Sequence, residues 1–200
     1  FNTLFLQRVL GYSALEAGLA FLPFTAGIII GATASQQLIP RFGAREVPVI
    51  GLSMAVVGML LFLRLAPDST YVVDFLPGIM LASIGMGLTF VPVTLVATGG
   101  IPVDGAVLAS GVFNTSQRVG GALGLAFLST FAANKTADVL AAAGSRPTQA
   151  ETAQALVDGF HVAWLGCAFF LAACAVLLCT MLRRGDVLAV AAGEAQPVGT

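Results

Sequence analysis

The amino-acid sequence predicts an all-α fold, a polytopic bundle of membrane-spanning helices, and three observations carry that expectation. Of the 200 residues, 58% are hydrophobic and only 10% are charged, whereas soluble domains carry about 25% charged residues. Mean hydropathy is +0.94, so there is too little polar surface to cover a water-soluble globule. The apolar residues also fall into runs of helical length. About 20 residues are needed to cross a ~30 Å hydrocarbon core, and no run shows the ten-residue alternation of a barrel strand.

Taken in order, residues 1–10 read as the exit of a helix, with Gln7 and Arg8 at the water boundary, and Gly11, Tyr12 and Ser13 make a turn. The first complete span covers residues 16–39. Pro23 is expected to kink it, and Gly27 and Gly31, four apart, form a close-packing face. A short basic loop follows at 40–46. The second span covers 47–66, with Gly51 and Gly58 on one face and Arg64 at its end. The third covers 75–98 and holds Pro92 well inside it. Pro92 removes a backbone hydrogen bond, and a neighbouring helix can satisfy the freed carbonyl, so a kink is expected there and not a break. The fourth covers 105–131. Residues 133–158 read as the longest polar segment, with short interfacial helices. The fifth span covers 159–182, with His161 and Trp164 at its first interface and Arg183 and Arg184 stopping it. Residues 185–200 read as a disordered cytoplasmic tail.

The fourth span carries the functional expectation. It is long enough to cross a bilayer, yet Asn114, Gln117 and Arg118 lie near its middle. At ~100° per residue, Ser110, Asn114, Gln117, Arg118 and Gly121 fall within an arc of roughly 100°. Polar groups are costly in lipid, so this face should meet protein or a water-filled cavity. Ser110, Asn114, Gln117 and Arg118 are therefore the candidates for lining a substrate cavity. Two alternatives stay open. Arg118 can instead bind helix carbonyls or reach the headgroups, and Asn114 and Gln117 can simply join helices by hydrogen bonds. Gly120, Gly121 and Gly124 read as helix-packing residues.

Several classes are disfavoured. A net charge of −1 gives no basis for a nucleic-acid partner. The three cysteines, Cys167, Cys174 and Cys179, all lie in the last span, where an odd number argues against a disulfide framework. There is one histidine, no ligand-pair spacing and no acid/base constellation inside the spans, so no metal, no cofactor and no enzyme is expected. Basic residues close to helix ends, Arg41, Arg45, Arg183 and Arg184, favour a cytoplasmic location for those ends.

Three strings together resemble a known family: FLQRVLGYSALEAGLAFLP at 5–23, PRFGAR at 40–45 and LASGVFNTSQRVGGALGLAFLST at 108–130. They are similar to the carboxyl-terminal half of the fourteen-helix drug/proton antiporters of the major facilitator superfamily, over roughly residues 1–184. The second string resembles that superfamily's loop signature Gly-x-x-x-Asp-Arg-x-Gly-Arg, with Arg41, Gly43 and Arg45 fitting it or its basic continuation. Pro40 stands where the aspartate would be, Gln36 where the first glycine would be and Ala44 where an arginine would be, so the basic loop is kept without its acidic partner. The resemblance implies two six-helix halves about a midplane cavity. This chain would be the second half with its first helix truncated, in the plasma membrane, and the missing half would supply the other cavity wall and the proton-coupling acids. It also implies proton-driven efflux of lipophilic drug-like or antibiotic molecules. The alternatives are a metabolite importer of the same superfamily and a non-catalytic structural membrane subunit.

Overall fold

In a computed structural model, residues 1–43, 45–98, 103–144 and 147–181 are described, and they are helical with short connections. The order is α1 (Asn2–Arg8), α2 (Ala14–Ala20), α3 (Leu22–Phe42), α4 (Glu46–Leu61), a 3-10 turn (Phe62–Arg64), a π-helical turn (Tyr71–Phe75), α5 (Leu76–Thr98), α6 (Val103–Ala143) and α7 (Gln149–Met181). Among these, four helical stretches are long and apolar enough to cross a membrane: Ala14–Phe42, Glu46–Arg64, Tyr71–Thr94 and Gln149–Thr180. α6 has the length, at 41 residues, but its polar residues keep it out of that set. The tail expected at 185–200, with Arg183 and Arg184, lies outside the described residues.

α5 lies between α3 and α4, α4 also packs on α7, and α7 on α6. Lipid tails are as apolar as leucine, so association here rests on close approach more than on burial from water. Small residues allow it. A Cβ on Gly31 would collide with the Ile84 carbonyl and come within 3.0 Å of the Gly87 Cα. On the other flank of α5, a Cβ on Gly58 would sit 2.6 Å from the Ala82 nitrogen and 2.8 Å from the Gly78 carbonyl oxygen.

Prolines account for the irregular backbone. Pro92 lies inside α5 and cannot donate to the Leu88 carbonyl four residues before it. The Ser35 hydroxyl of α3, fully buried, donates to that carbonyl at 3.2 Å. Pro23 cannot donate to Leu19, and the backbone breaks just before it, at Phe21 (φ −89°, ψ −6°), dividing one apolar run into α2 and α3. Pro77 cannot donate to Val73. The preceding turn widens, and the Leu76 N–H reaches the Tyr71 carbonyl, five residues back.

Two expectations are corrected. Residues 133–158 do not form a polar connection with short helices: α6 continues to Ala143 and α7 begins at Gln149. Alanines favour helix here, and Thr148 and Glu151 start α7 with a reciprocal cap, Thr148 N–H to Glu151 at 2.7 Å and Glu151 N–H to the Thr148 hydroxyl at 3.3 Å. At 1.5 Å per residue the 41-residue α6 is about 62 Å long, roughly twice the hydrocarbon thickness of a bilayer. Trp164 is not an interfacial anchor either. It is 1% exposed, packed with Phe5, Phe62 and Phe160 at centroid separations of 5.7, 5.2 and 5.9 Å. Its indole N–H donates to Asn2 Oδ1 at 2.9 Å, and this bond lets a polar group sit inside an aromatic cluster. His161 beside it lies 2.9 Å from the Leu65 carbonyl through Nε2.

Candidate functional site

α6 is packed along only part of its length. Leu128 and Ala132 are buried against α7, where a Cβ on Gly166 would collide with Leu128 and one on Gly159 would lie 2.7 Å from the Ala132 carbonyl oxygen. The preceding turns are different. Asn114, Gln117, Arg118 and Gly121 are all exposed, and Ser110 is half-buried. The Asn114 side-chain N–H donates to the Ser110 carbonyl at 3.0 Å, one turn back on the same helix. At 100° per residue, Leu128 and Ala132 lie within about 40° of Asn114 around the axis. The polar face is therefore the continuation of the face that packs on α7, beyond the point where that packing stops.

The glycines divide. Gly27 and Gly31 face α5, Gly27 against the Ser83 side chain and Gly31 against Ile84, whereas a Cβ on Gly120, Gly121 or Gly124 would meet nothing within 4 Å. On the other side of α6 lies a groove of about 860 Å³ with Leu108, Val112, Thr115, Ser116, Val119 and Leu123 among its lining residues. A second, of about 590 Å³, lies beside Gly120, Leu123, Gly124, Phe127 and Phe170. The helical period already puts Val112, Ala109, Leu123 and Phe127 on the side opposite the polar face, and Val112, Leu123 and Phe127 line these grooves. The grooves themselves are not legible in that spacing, because it describes one helix and not its neighbours.

The basic loop joins α3 to α4. Gly43 has φ +96°, a conformation that strains residues with a Cβ, and its N–H closes α3 on the Ile39 carbonyl at 2.8 Å. Arg41 is exposed. Arg45 is half-buried, and its guanidinium donates to the Cys179 carbonyl in the last described turn of α7. With Pro40 in the place of an aspartate, Arg45 thus finds a helix carbonyl as an acceptor. Pairing by residue type does not disclose such a contact, because the acceptor is backbone and 134 positions away. Among the described residues there is no group of three His, Cys, Asp or Glu side chains that would hold a metal ion.

Comparisons with known proteins agree with this architecture. The family model described as Major Facilitator Superfamily matches residues 1–125. The chain is 39% identical over 166 residues to the puromycin resistance protein pur8 of Streptomyces alboniger, covering 82% of this chain and 33% of that protein. It is 36% identical over 179 residues to the cephamycin export protein CmcT of Amycolatopsis lactamdurans, covering 88% of this chain and 34% of that protein. It is 30% identical over 123 residues to the quinolone resistance protein NorB of Staphylococcus aureus, covering 61% of this chain and 27% of that protein. The chain thus spans about a third of the length of the first two of these relatives. Its apolar helices make it a multi-pass membrane protein in a lipid bilayer, and the family match and these identities together establish that the chain belongs to the Major Facilitator Superfamily.

Proposed function

We propose that the full-length protein exports lipophilic drug-like or antibiotic molecules across the plasma membrane in exchange for protons, acting as a carrier and not as an enzyme. Its described helices, α1 to α7, contribute one bundle of it, with α6 as a fifth span. The rest of the protein supplies the opposite wall of a midplane cavity, and the two bundles rock about it to expose it alternately. The observation that carries this reading is the exposed Asn114, Gln117 and Arg118 on one face of α6, which the proposal places in the membrane. A polar face of that kind is tolerated where it meets a cavity or another part of the protein, not lipid. A few polar groups beside apolar grooves suit lipophilic cargo, and the named resistance and export relatives support the outward direction.

The test is drug accumulation in an efflux-deficient host that expresses the full-length protein. Expression should lower accumulation, collapse of the proton gradient should abolish the effect, and Arg118→Ala should cut efflux at least tenfold at equal protein level. Raised accumulation of a metabolite on expression would favour an importer. Unchanged efflux in Arg118→Ala would remove this face from the pathway.

A further inference from the structure

Two irregular joints lie at the same end of the bundle, and one side chain bridges them. The first is the break between α2 and α3 at Phe21, two residues before Pro23. The second is the π-helical turn Tyr71–Phe75 that leads into α5. π-helical turns recur at sites of function and local strain. The Tyr71 hydroxyl donates to the Ala20 carbonyl at 2.7 Å, 51 residues away and immediately before the break. The Tyr71 ring also lies 6.3 Å from the Tyr12 ring, just ahead of α2, and stacks on Phe75 at 5.7 Å. Tyr71 thus touches both ends of the seven-residue α2. Phe75 in turn stacks on Phe62 at 5.2 Å and on Phe5 at 6.0 Å, so the π-helical turn is fixed to the aromatic cluster.

α2 itself is stiff at its start. The Ser13 N–H donates to Glu16 at 2.8 Å and the Glu16 N–H to the Ser13 hydroxyl at 3.3 Å, a reciprocal cap. Its other end is where the helical ladder is interrupted. A stiff short helix with one interrupted end turns about that end unless something holds it.

We propose that Tyr71 is a conformational latch. Its hydroxyl bond to Ala20 holds α2 against the π-helical turn, and release of that bond lets α2 swing on α3 about Phe21–Pro23. The inference does not rest on the transport reading, because it concerns the joint alone. A swing of about 20°, the threshold of a sharp kink, moves the far end of a ~10 Å helix by about 4 Å.

The experiment places spin labels on the full-length protein at Leu15, 75% exposed on α2, and Met86, 45% exposed on α5, in a background without native cysteines, and reads their distance distribution by pulsed dipolar spectroscopy. Tyr71→Phe keeps the ring and removes the donor. The expected result is a second population shifted by about 4 Å in Tyr71→Phe. That population should vanish when Pro23→Ala is added, because an alanine N–H can rebuild the bond to Leu19 and close the joint. A Tyr71→Phe distribution superposing on the parent would overturn the latch. A second population that persists in Tyr71→Phe/Pro23→Ala would overturn the joint as its origin.

Discussion

Removing one buried hydroxyl from α3 tests the account of the proline in α5. Ser35 is fully buried and donates to the Leu88 carbonyl at 3.2 Å, the acceptor that Pro92 leaves without its helical donor. Ser35→Ala deletes the donor and adds no bulk. An unsatisfied buried carbonyl costs about 1–3 kcal/mol, while interhelical hydrogen bonds in one membrane protein average about 0.6 kcal/mol with a maximum near 1.7. The 3.2 Å separation is longer than the usual 2.5–3.0 Å for O–H···O bonds, so the lower part of that range applies. We expect about 1 kcal/mol, roughly a fivefold change in the unfolding equilibrium. In a Pro92→Ala background the backbone N–H of residue 92 is restored and can bond Leu88 itself. Ser35→Ala should then cost at most about 0.3 kcal/mol, giving a coupling near 0.7 kcal/mol in a double-mutant cycle. The cycle subtracts whatever Pro92→Ala costs by leaving a cavity. The assay is detergent-titrated unfolding of the purified full-length protein in all four versions. Equal costs of Ser35→Ala in the two backgrounds would refute the reasoning.

Further outcomes follow from the same contacts. Gly31→Val should drive α3 and α5 apart, because its Cβ alone already collides with the Ile84 carbonyl; overpacking costs about 1–3 kcal/mol or more, read as loss of folded, monodisperse protein in size-exclusion chromatography. Arg45→Ala should destabilise the protein by about 1.5–3 kcal/mol, the range for a charged hydrogen bond, here to the Cys179 carbonyl, with Arg45→Lys recovering part of it because a lysine keeps the charge without the planar fork. Thermal unfolding of the three proteins checks this. Trp164→Phe should cost about 1 kcal/mol through the lost bond to Asn2, and Trp164→Ala about 3–5 kcal/mol through the emptied aromatic site, both read from the same unfolding titration.

Much of the architecture was legible because membrane helices are written in composition and length. The apolar runs at 16–39, 47–66 and 75–98 correspond to α2 with α3, α4 and α5 to within a few residues. The pairing of Gly27 with Gly31 pointed to a close helix contact because a stripe free of side chains can be read from spacing alone. The ends of α6 and α7 were misjudged because lysine, asparagine and aspartate end a span in lipid but do not end a helix in water. The polar set Asn114, Gln117 and Arg118 was legible as a face, but what stands opposite it was not, since periodicity describes one helix and not its neighbours.

The sequence by itself determined that this chain is a set of apolar helices, where proline interrupts their backbone hydrogen bonding, and that one helix carries a polar face. These follow from side-chain chemistry and a period of 3.6 residues. Only the tertiary structure decided which side chain meets which backbone carbonyl: Ser35 for Leu88, which Pro92 leaves without its helical donor, Tyr71 for Ala20 and Arg45 for Cys179. A backbone acceptor looks the same at every position of the chain. Its partner is selected by which side chain the packing brings within about 3 Å, and no local pattern records that.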